Sequence, residues 1–267
     1  IMNNNRIIEK IKNHKTAYVL SIKSENLDAI EYASKLDYDA IHLDAEHGSF
    51  SVDSVERVCQ LAISAGLIVT ARVHKVSKQE INLFIDRGVQ GIMGPHVETY
   101  EEAKLLADSC LFPPTGKRSW GGGRGTEFGN LEFMKRHNSV DSQLKYAMWA
   151  NENMELTIQI ESLKGFENLD EILKEKRIHR IAFGPNDLAA DLGVPGQPNH
   201  EKVNKMHSEI EKKSRKAGKL IVGDYTKTIR YEDSSLEILN KFREEWHQKI
   251  KLELINTQPY LKLANLW

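Results

Sequence analysis

Short runs of β-branched and apolar residues alternate along this chain with longer stretches whose apolar positions recur at helical spacing. TAYVLSI (16–22) predicts a first strand, followed by a helix over 26–36. DAIHLD (39–44) predicts a second strand and 52–66 a helix, and LIVTARV (67–73) a third strand with its helix over 78–88. VQGIMGP (89–95) is a short fourth strand before the acidic helix of 97–110. The segment FPPTGKRSWGGGRGTEFG (112–129) is too rich in Gly and Pro for either element. The rhythm resumes with a helix over 141–151 and strands LTIQIES (156–162) and HRIAFGP (179–185) separated by a helix. A long helix follows over 198–218, then a seventh strand, KLIVGDY (219–225). No clear eighth strand follows; 235–255 reads as helix and 259–267 as an apolar tail.

A strand–helix repeat of roughly 20 to 30 residues argues for parallel strands with right-handed crossovers. The expected fold is a (β/α)8 TIM barrel spanning 1–267 as one domain, with 233–267 a divergent C-terminal helical extension. An open doubly wound sheet is the alternative.

Bulk properties narrow the function. The 267 residues carry 37 Lys and Arg against 38 Asp and Glu, with no long charge run, so nucleic acid and an anionic membrane are poor partners. The two cysteines, Cys59 and Cys110, form no CxxC pair, which disfavours a thiolate zinc site or a disulfide framework. No apolar run approaches the roughly 20 residues of a membrane span. The polar start IMNNNRIIEKIKNHK does not read as a secretory signal, and a cytoplasmic setting is expected.

The chemistry gathers at the ends of strands. Glu161 closes the fifth strand and Asp187 follows the sixth in GPNDL. Strand C-termini form the rim where α/β proteins place their sites, and two hard oxygen donors there suit Mg²⁺ or Mn²⁺. Either acid alone could instead be a helix cap. Alternation puts Gln159 and Glu161 on one strand face, with Ile158, Ile160 and Ser162 on the other. LDAEHGSF ends the second strand with Asp44, Glu46 and His47. A histidine there is a natural proton carrier whose tautomer Asp44 would fix, or it is an ordinary surface histidine; Glu46 is second-rank or simply exposed. Arg72, in TARV, needs a partner: a substrate carboxylate or a structural ion pair. Asp86, at the end of the third helix, sits where the helix dipole disfavours an acid. The backbone amides of the Gly184, Pro185, Asn186 turn could receive an anion. The GKRSWGGGRG loop lacks the phosphate-loop order and reads as a lid or subunit contact, with Lys117, Arg118 and Arg124 free to meet an anion.

LDAEHGSF, TARV, GVQGIMGP, FPPTGKRSWGGGRG, IQIES and FGPNDLAADLGVPGQP, in that order and spacing over 17–198, resemble the HpcH/HpaI-type class II pyruvate aldolases. The resemblance implies a phosphoenolpyruvate/pyruvate-type barrel, assembled as a homo-oligomer, usually a hexamer. It implies that Glu161 and Asp187 hold a divalent metal (Mg²⁺ or Mn²⁺, with Co²⁺ also admissible) and that pyruvate and an aldehyde are the substrates. It makes Arg72 the steadier of substrate and enolate oxygens and His47, oriented by Asp44, the acid/base. Gln159, Gly184, Pro185 and Asn186 line the substrate, and Asp86 is a supporting or neighbour-subunit acid. The chain departs from the pattern at Gly94 and His96, and again after Gly218. A decarboxylase or C–C bond-forming enzyme acting on oxaloacetate-like acids, and a non-catalytic ligand-binding barrel, remain alternatives.

Overall fold

The computed structural model describes residues 2–137, 140–245 and 248. In chain order the elements are α1 (Arg6–Lys12), β1 (Ala17–Ile22), α2 (Leu27–Lys35), β2 (Ala40–Asp44), α3 (Val52–Ser64), β3 (Ile68–Arg72), α4 (Lys78–Ile85), β4 (Gly91–Gly94) and α5 (Tyr100–Cys110). There follow α6 (Leu131–Met134), α7 (Gln143–Glu152), β5 (Glu155–Ile160), α8 (Leu163–Glu167), α9 (Leu169–Ile172), β6 (Arg180–Phe183), α10 (Pro185–Asp191), α11 (Glu201–Lys216), β7 (Leu220–Ile221) and β8 (Thr226–Arg230). The helices start where the side chains dictate. Ser51 and Ser54 form a reciprocal cap on α3, and Thr99 and Glu102 form another on α5.

The strands form one sheet in the order β7-β6-β5-β4-β3-β2-β1-β8, and the successive pairs from β1 to β7 are parallel. Its two ends are joined by residues 222–225 alone. Eight strands laid flat would span about 34 Å at the usual interstrand spacing, whereas the five steps from Ile221 to Thr226 reach at most about 18 Å. The sheet must therefore curl. Arg180 fastens the ends: its Nη2 donates to Thr226 Oγ1 at 2.7 Å and to the Val222 carbonyl, while Nη1 pairs with Glu155 at 2.7 Å.

The expected barrel is present as a curled sheet of eight strands, but not as eight strand–helix repeats. The seventh strand is two residues rather than seven. The eighth, which the pattern does not show, follows a turn with no helix between. Asp224 makes that turn: it accepts from Ile221 N at 2.9 Å and is held bidentately by Arg215 at 2.8 and 2.9 Å. Tyr225 adopts φ 56°, in the left-handed region.

The chain divides into two compact units, 1–228 and 229–267. In the second unit residues 231–245 are helical, with Leu236, Ile238, Leu239 and Phe242 exposed. The rest of the helix expected over 235–255, and the apolar tail of 259–267, lie outside the described residues.

The strands carry a helix-facing apolar side and a polar inner side. On β5, Leu156, Ile158 and Ile160 are buried, while Thr157 bonds Glu155 and Gln159 bonds Glu161, as alternation requires. Across the sheet, His42 Nδ1 lies 2.9 Å from Thr70 Oγ1. Gly91 on β4 keeps the inside passable, because a Cβ there would stand 2.6 Å from the Thr70 side chain and 3.3 Å from Glu155. Side chains of β3 and β5 can thus meet over β4.

Candidate active site

Five consecutive strands deliver the site. Asp44 ends β2, Arg72 ends β3, His96 lies two residues beyond β4, Glu161 follows β5 and Gly184 follows β6. All five strands are parallel, with Asp44 opposite Arg72 in register, so these residues share one rim.

Arg72 is the hub. Its Nε and Nη2 both donate to Asp44 Oδ1, at 2.9 and 2.7 Å, and Nη1 lies 3.0 Å from Glu46 Oε2 and 3.4 Å from Gln159 Oε1. The partner that an arginine among apolar neighbours requires is therefore within the protein. Burial works against the Asp44 carboxylate, but the hydrogen bonds and charge of Arg72 outweigh it and hold the group below the usual range.

Gln159 passes the arrangement on. Its Nε2 donates to Glu161 Oε2 at 2.6 Å, and the His96 backbone N–H donates to Glu161 Oε1 at 2.8 Å. The Glu161 side chain is fully buried. Burial pushes its carboxyl up; the His96 N–H and ring pull it down, and the charges of Glu46 and Asp187 add to the rise. The His96 ring stands between two carboxylates, Nε2 3.2 Å from Glu46 Oε1 and Nδ1 3.3 Å from Glu161 Oε1. One donor atom from each of Glu46, His96 and Glu161 lies within 4.8 Å of the others. Glu46 Oε2 is buried and accepts no hydrogen bond, its approach to Arg72 being an ion pair only. Two carboxylates and an imidazole gathered so closely, with Glu161 fully buried, are a donor set that fits a divalent cation.

The remaining expected residues fall as follows. His47 is exposed. Asp44 accepts its backbone N–H at 3.4 Å rather than its ring, and the carboxylate that the ring approaches is Glu46, at 3.8 Å. The expected Asp44-to-imidazole orientation is thus replaced: Arg72 claims the Asp44 carboxylate. Asp187 is exposed in the first turn of α10 and lies outside the Glu46–His96–Glu161 group. Gly184, Pro185 and Asn186 form the start of α10. At Gly184 a Cβ would fall on Glu161 Oε2 and 2.8 Å from Gln159 Nε2, so the glycine makes room for the two side chains. Gly94 faces away from the site, toward Leu106 and Val76.

Asp86 lies apart. It caps the C-terminus of α4, which runs back from the rim to the opposite end of the strands, and it packs under the glycine loop: Gly125 N donates to its carbonyl at 3.0 Å. Burial pushes its carboxyl up against the pull of Arg118 and Arg87. That loop is packed rather than free. Arg118 is buried, donates to the Gly125 carbonyl at 3.0 Å and stacks over Phe112; Arg124 pairs with Glu56 at 2.8 Å, and Lys117 with Asp108 at 3.2 Å. A cavity of about 830 Å³ also opens away from the rim, among Ile8, Lys12, Glu155, Arg180 and Lys219, near the starts of β5 to β7.

Glu46 and His96 are the residues whose part the sequence leaves undecided. Their signal is the rim position itself, one in each of two loops that follow adjacent-but-one strands.

The family model described as HpcH/HpaI aldolase/citrate lyase matches residues 17–241. The chain belongs to this family. It is an enzyme of the class II aldolase kind, as the expected resemblance implies. It is 29% identical over 211 residues to 2-keto-3-deoxy-L-rhamnonate aldolase of Salmonella gallinarum, covering 79% of this chain and 75% of that protein. Among solved structures, the HpcH/HpaI aldolase of Desulfitobacterium hafniense superposes with a TM-score of 0.76 at 21% identity, over 91% of this chain and 95% of that one. The citrate synthase SbnG superposes with a TM-score of 0.69 at 20% identity, over 96% and 98%. These two likenesses concern the fold. No helix among the described residues is long and apolar enough to cross a membrane.

Proposed function

We propose that this member of the family cleaves a 4-hydroxy-2-oxo acid to pyruvate and an aldehyde, or runs the condensation, with a divalent cation held at the rim by Glu161 and Asp187. The observation that carries the reading is the linkage of Arg72 to buried Glu161 through Gln159. A fixed positive group and a buried carboxylate of the kind that binds metals are thereby held on the same rim. Asp187 supports it as a second acid whose charge is felt at Glu161.

When bound, Mg²⁺, Mn²⁺ or Co²⁺ would supply a Lewis acid for the 2-oxo group. The protein's own residues do the rest. Cleavage takes the proton from the 4-hydroxyl, breaks the bond between C3 and C4, and leaves the electron pair as an enolate that is reprotonated at C3. Arg72, locked to Asp44 by two of its nitrogens, meets the developing oxygen charge without having to reorganise. His47, exposed above Glu46, carries the proton to and from the substrate. At the start of α10, Gly184 and Pro185 shape the turn and the Asn186 N–H is offered to the carboxylate end; Pro185 has no N–H and the Gly184 N–H is donated to the Ile160 carbonyl at 3.3 Å. Asp86, at the far end of α4, would act in a neighbouring copy's centre, in keeping with a homo-oligomer. A cytoplasmic enzyme agrees with two buried unpaired cysteines, whose thiols burial pushes up to about 12.

The name of the relatives makes 2-keto-3-deoxy sugar acids the first substrates to try. Release of pyruvate from such an acid, dependent on added Mn²⁺, is the expected result; pyruvate release from oxaloacetate alone would overturn the aldol assignment.

A further inference from the structure

The cavity of about 830 Å³ lies at the end of the strands opposite the rim. Glu155 opens β5, Arg180 opens β6 and Lys219 immediately precedes β7, while Ile8, Ile11 and Lys12 reach it from α1. Glu155 and Glu161 are six residues apart along an extended strand, which sets the cavity roughly 20 Å from the catalytic rim. Its volume is that of a small-molecule site. Ile8, Ile11, Leu173, Ile178 and Leu220 give it apolar walls.

The charge on those walls is uneven. Lys12, Lys174, Lys176, Arg180 and Lys219 line the cavity against the carboxylates of Glu152 and Glu155. Arg180 takes Glu155 at 2.7 Å, and Lys174 is taken by Glu171 at 2.5 Å. Lys12 and Lys176 form no ion pair among the described residues. Buried Lys219 donates Nζ to the Glu175 and Ile178 carbonyls, both at 2.8 Å, and has a third N–H to give. Two further donors lack an acceptor. His179 Nδ1 accepts from the Leu156 N–H at 3.2 Å, which puts the ring proton on Nε2 of an accessible ring. Burial pushes that imidazole down; Glu155 opposes the fall, and the charges of Lys219, Arg180 and Lys12 add to it. Arg180 is 3% exposed, and its Nε has no hydrogen-bond partner, a costly state for a buried donor.

We propose that this cavity binds an organic anion with an apolar body, its charged head met by Lys12, Lys176 and Lys219 and its body by the isoleucines of α1 and Leu173. Apolar walls supply the affinity, and a few placed polar groups fix the orientation. A surplus of cations and unused N–H donors selects a negative head over a neutral or positive one. The site is separate from the rim and stands whichever acid is cleaved there.

The test titrates the full chain with 8-anilinonaphthalene-1-sulfonate, an aromatic anion that fluoresces in apolar surroundings. Octanoate, octanol and citrate then compete with it; octanol keeps the apolar body without the charge, and citrate keeps the charge without the body. The expected result is saturable binding that octanoate displaces far better than either of the others, and that Mn²⁺ with pyruvate leaves unchanged. Lys12→Glu combined with Lys176→Glu should weaken octanoate binding about tenfold, because two attractive charges become repulsive. Ala217→Phe adds bulk to the lining from an exposed position and should abolish binding. Circular dichroism checks that both variants fold. The proposal is overturned by absence of saturable probe binding, by octanol competing as well as octanoate, or by displacement of the probe by Mn²⁺ with pyruvate. Unchanged octanoate binding in the folded double lysine variant overturns it equally.

Discussion

Gln159 joins Arg72 to Glu161 by using both ends of its amide. Oε1 accepts from the guanidinium at 3.4 Å and Nε2 donates to the carboxylate at 2.6 Å. The oxygen and nitrogen ends are therefore fixed by their partners, and the cationic and anionic parts of the rim are held in one register. Gln159→Leu keeps the volume and removes both bonds. Cation affinity measured by calorimetry should drop on the order of 10- to 100-fold, the usual cost of losing the group that orients a ligand. An unchanged affinity would show that Glu161 is positioned without it.

Arg72→Ala separates chemistry from cation binding. The guanidinium touches Asp44, Glu46 and Gln159, but it is not a metal donor. Turnover should fall by about 10²–10³-fold, as for loss of a preorganised charge-stabilising group, while Mn²⁺ still binds. Steady-state kinetics beside calorimetry on the same sample check this, and near-normal turnover would remove Arg72 from the mechanism.

Gly184→Ala places a methyl group where Glu161 Oε2 and Gln159 Nε2 stand. Glu161 follows β5 and cannot retreat into a filled interior. The expected outcome is weakened Mn²⁺ binding together with a stability loss of about 1–3 kcal/mol, typical of overpacking. Urea denaturation and calorimetry read the two effects.

His42 sets a pH dependence of stability. Burial pushes its imidazole down from 6.5 to about 4, while in the unfolded chain it returns to its ordinary value. Between those values the unfolded state binds more protons than the folded one, so stability is lost as pH falls from 6.5 toward 4. At pH 5 the loss from this one group is about 2 kcal/mol relative to pH 7. His42→Gln should show a correspondingly flatter urea midpoint between pH 7 and 5 than the wild type; parallel curves would contradict it.

Buried Glu155 ion-pairs with the buried Arg180 guanidinium, whose other nitrogen reaches Thr226 across the ends of the curled sheet. Glu155→Ala leaves Arg180 without its countercharge and should cost about 3–5 kcal/mol in urea unfolding. Glu155→Leu combined with Arg180→Met should recover part of that loss, because neither charge is then left buried alone.

Much of this protein is written locally. The first six strands follow from β-branched runs. Alternation on β5 puts Gln159 and Glu161 on one face, and strand-end position singles out Asp44, Arg72 and Glu161, because side-chain direction in a strand depends only on parity. The rest depends on how distant segments meet. Nothing local says that Asp44 would give its carboxylate to Arg72 and only a backbone contact to His47. Nor does it say that Arg118 would be buried under the glycine loop, or that β8 would follow β7 after four residues. Glu46 and His96 become neighbours only because the sheet curls over glycine-lined β4 and the 95–97 turn takes a left-handed residue. The sequence thus determined which residues reach the rim; the tertiary structure decided which of them touch, since hydrogen-bond partners are chosen by the curvature of the sheet and the torsions of its loops.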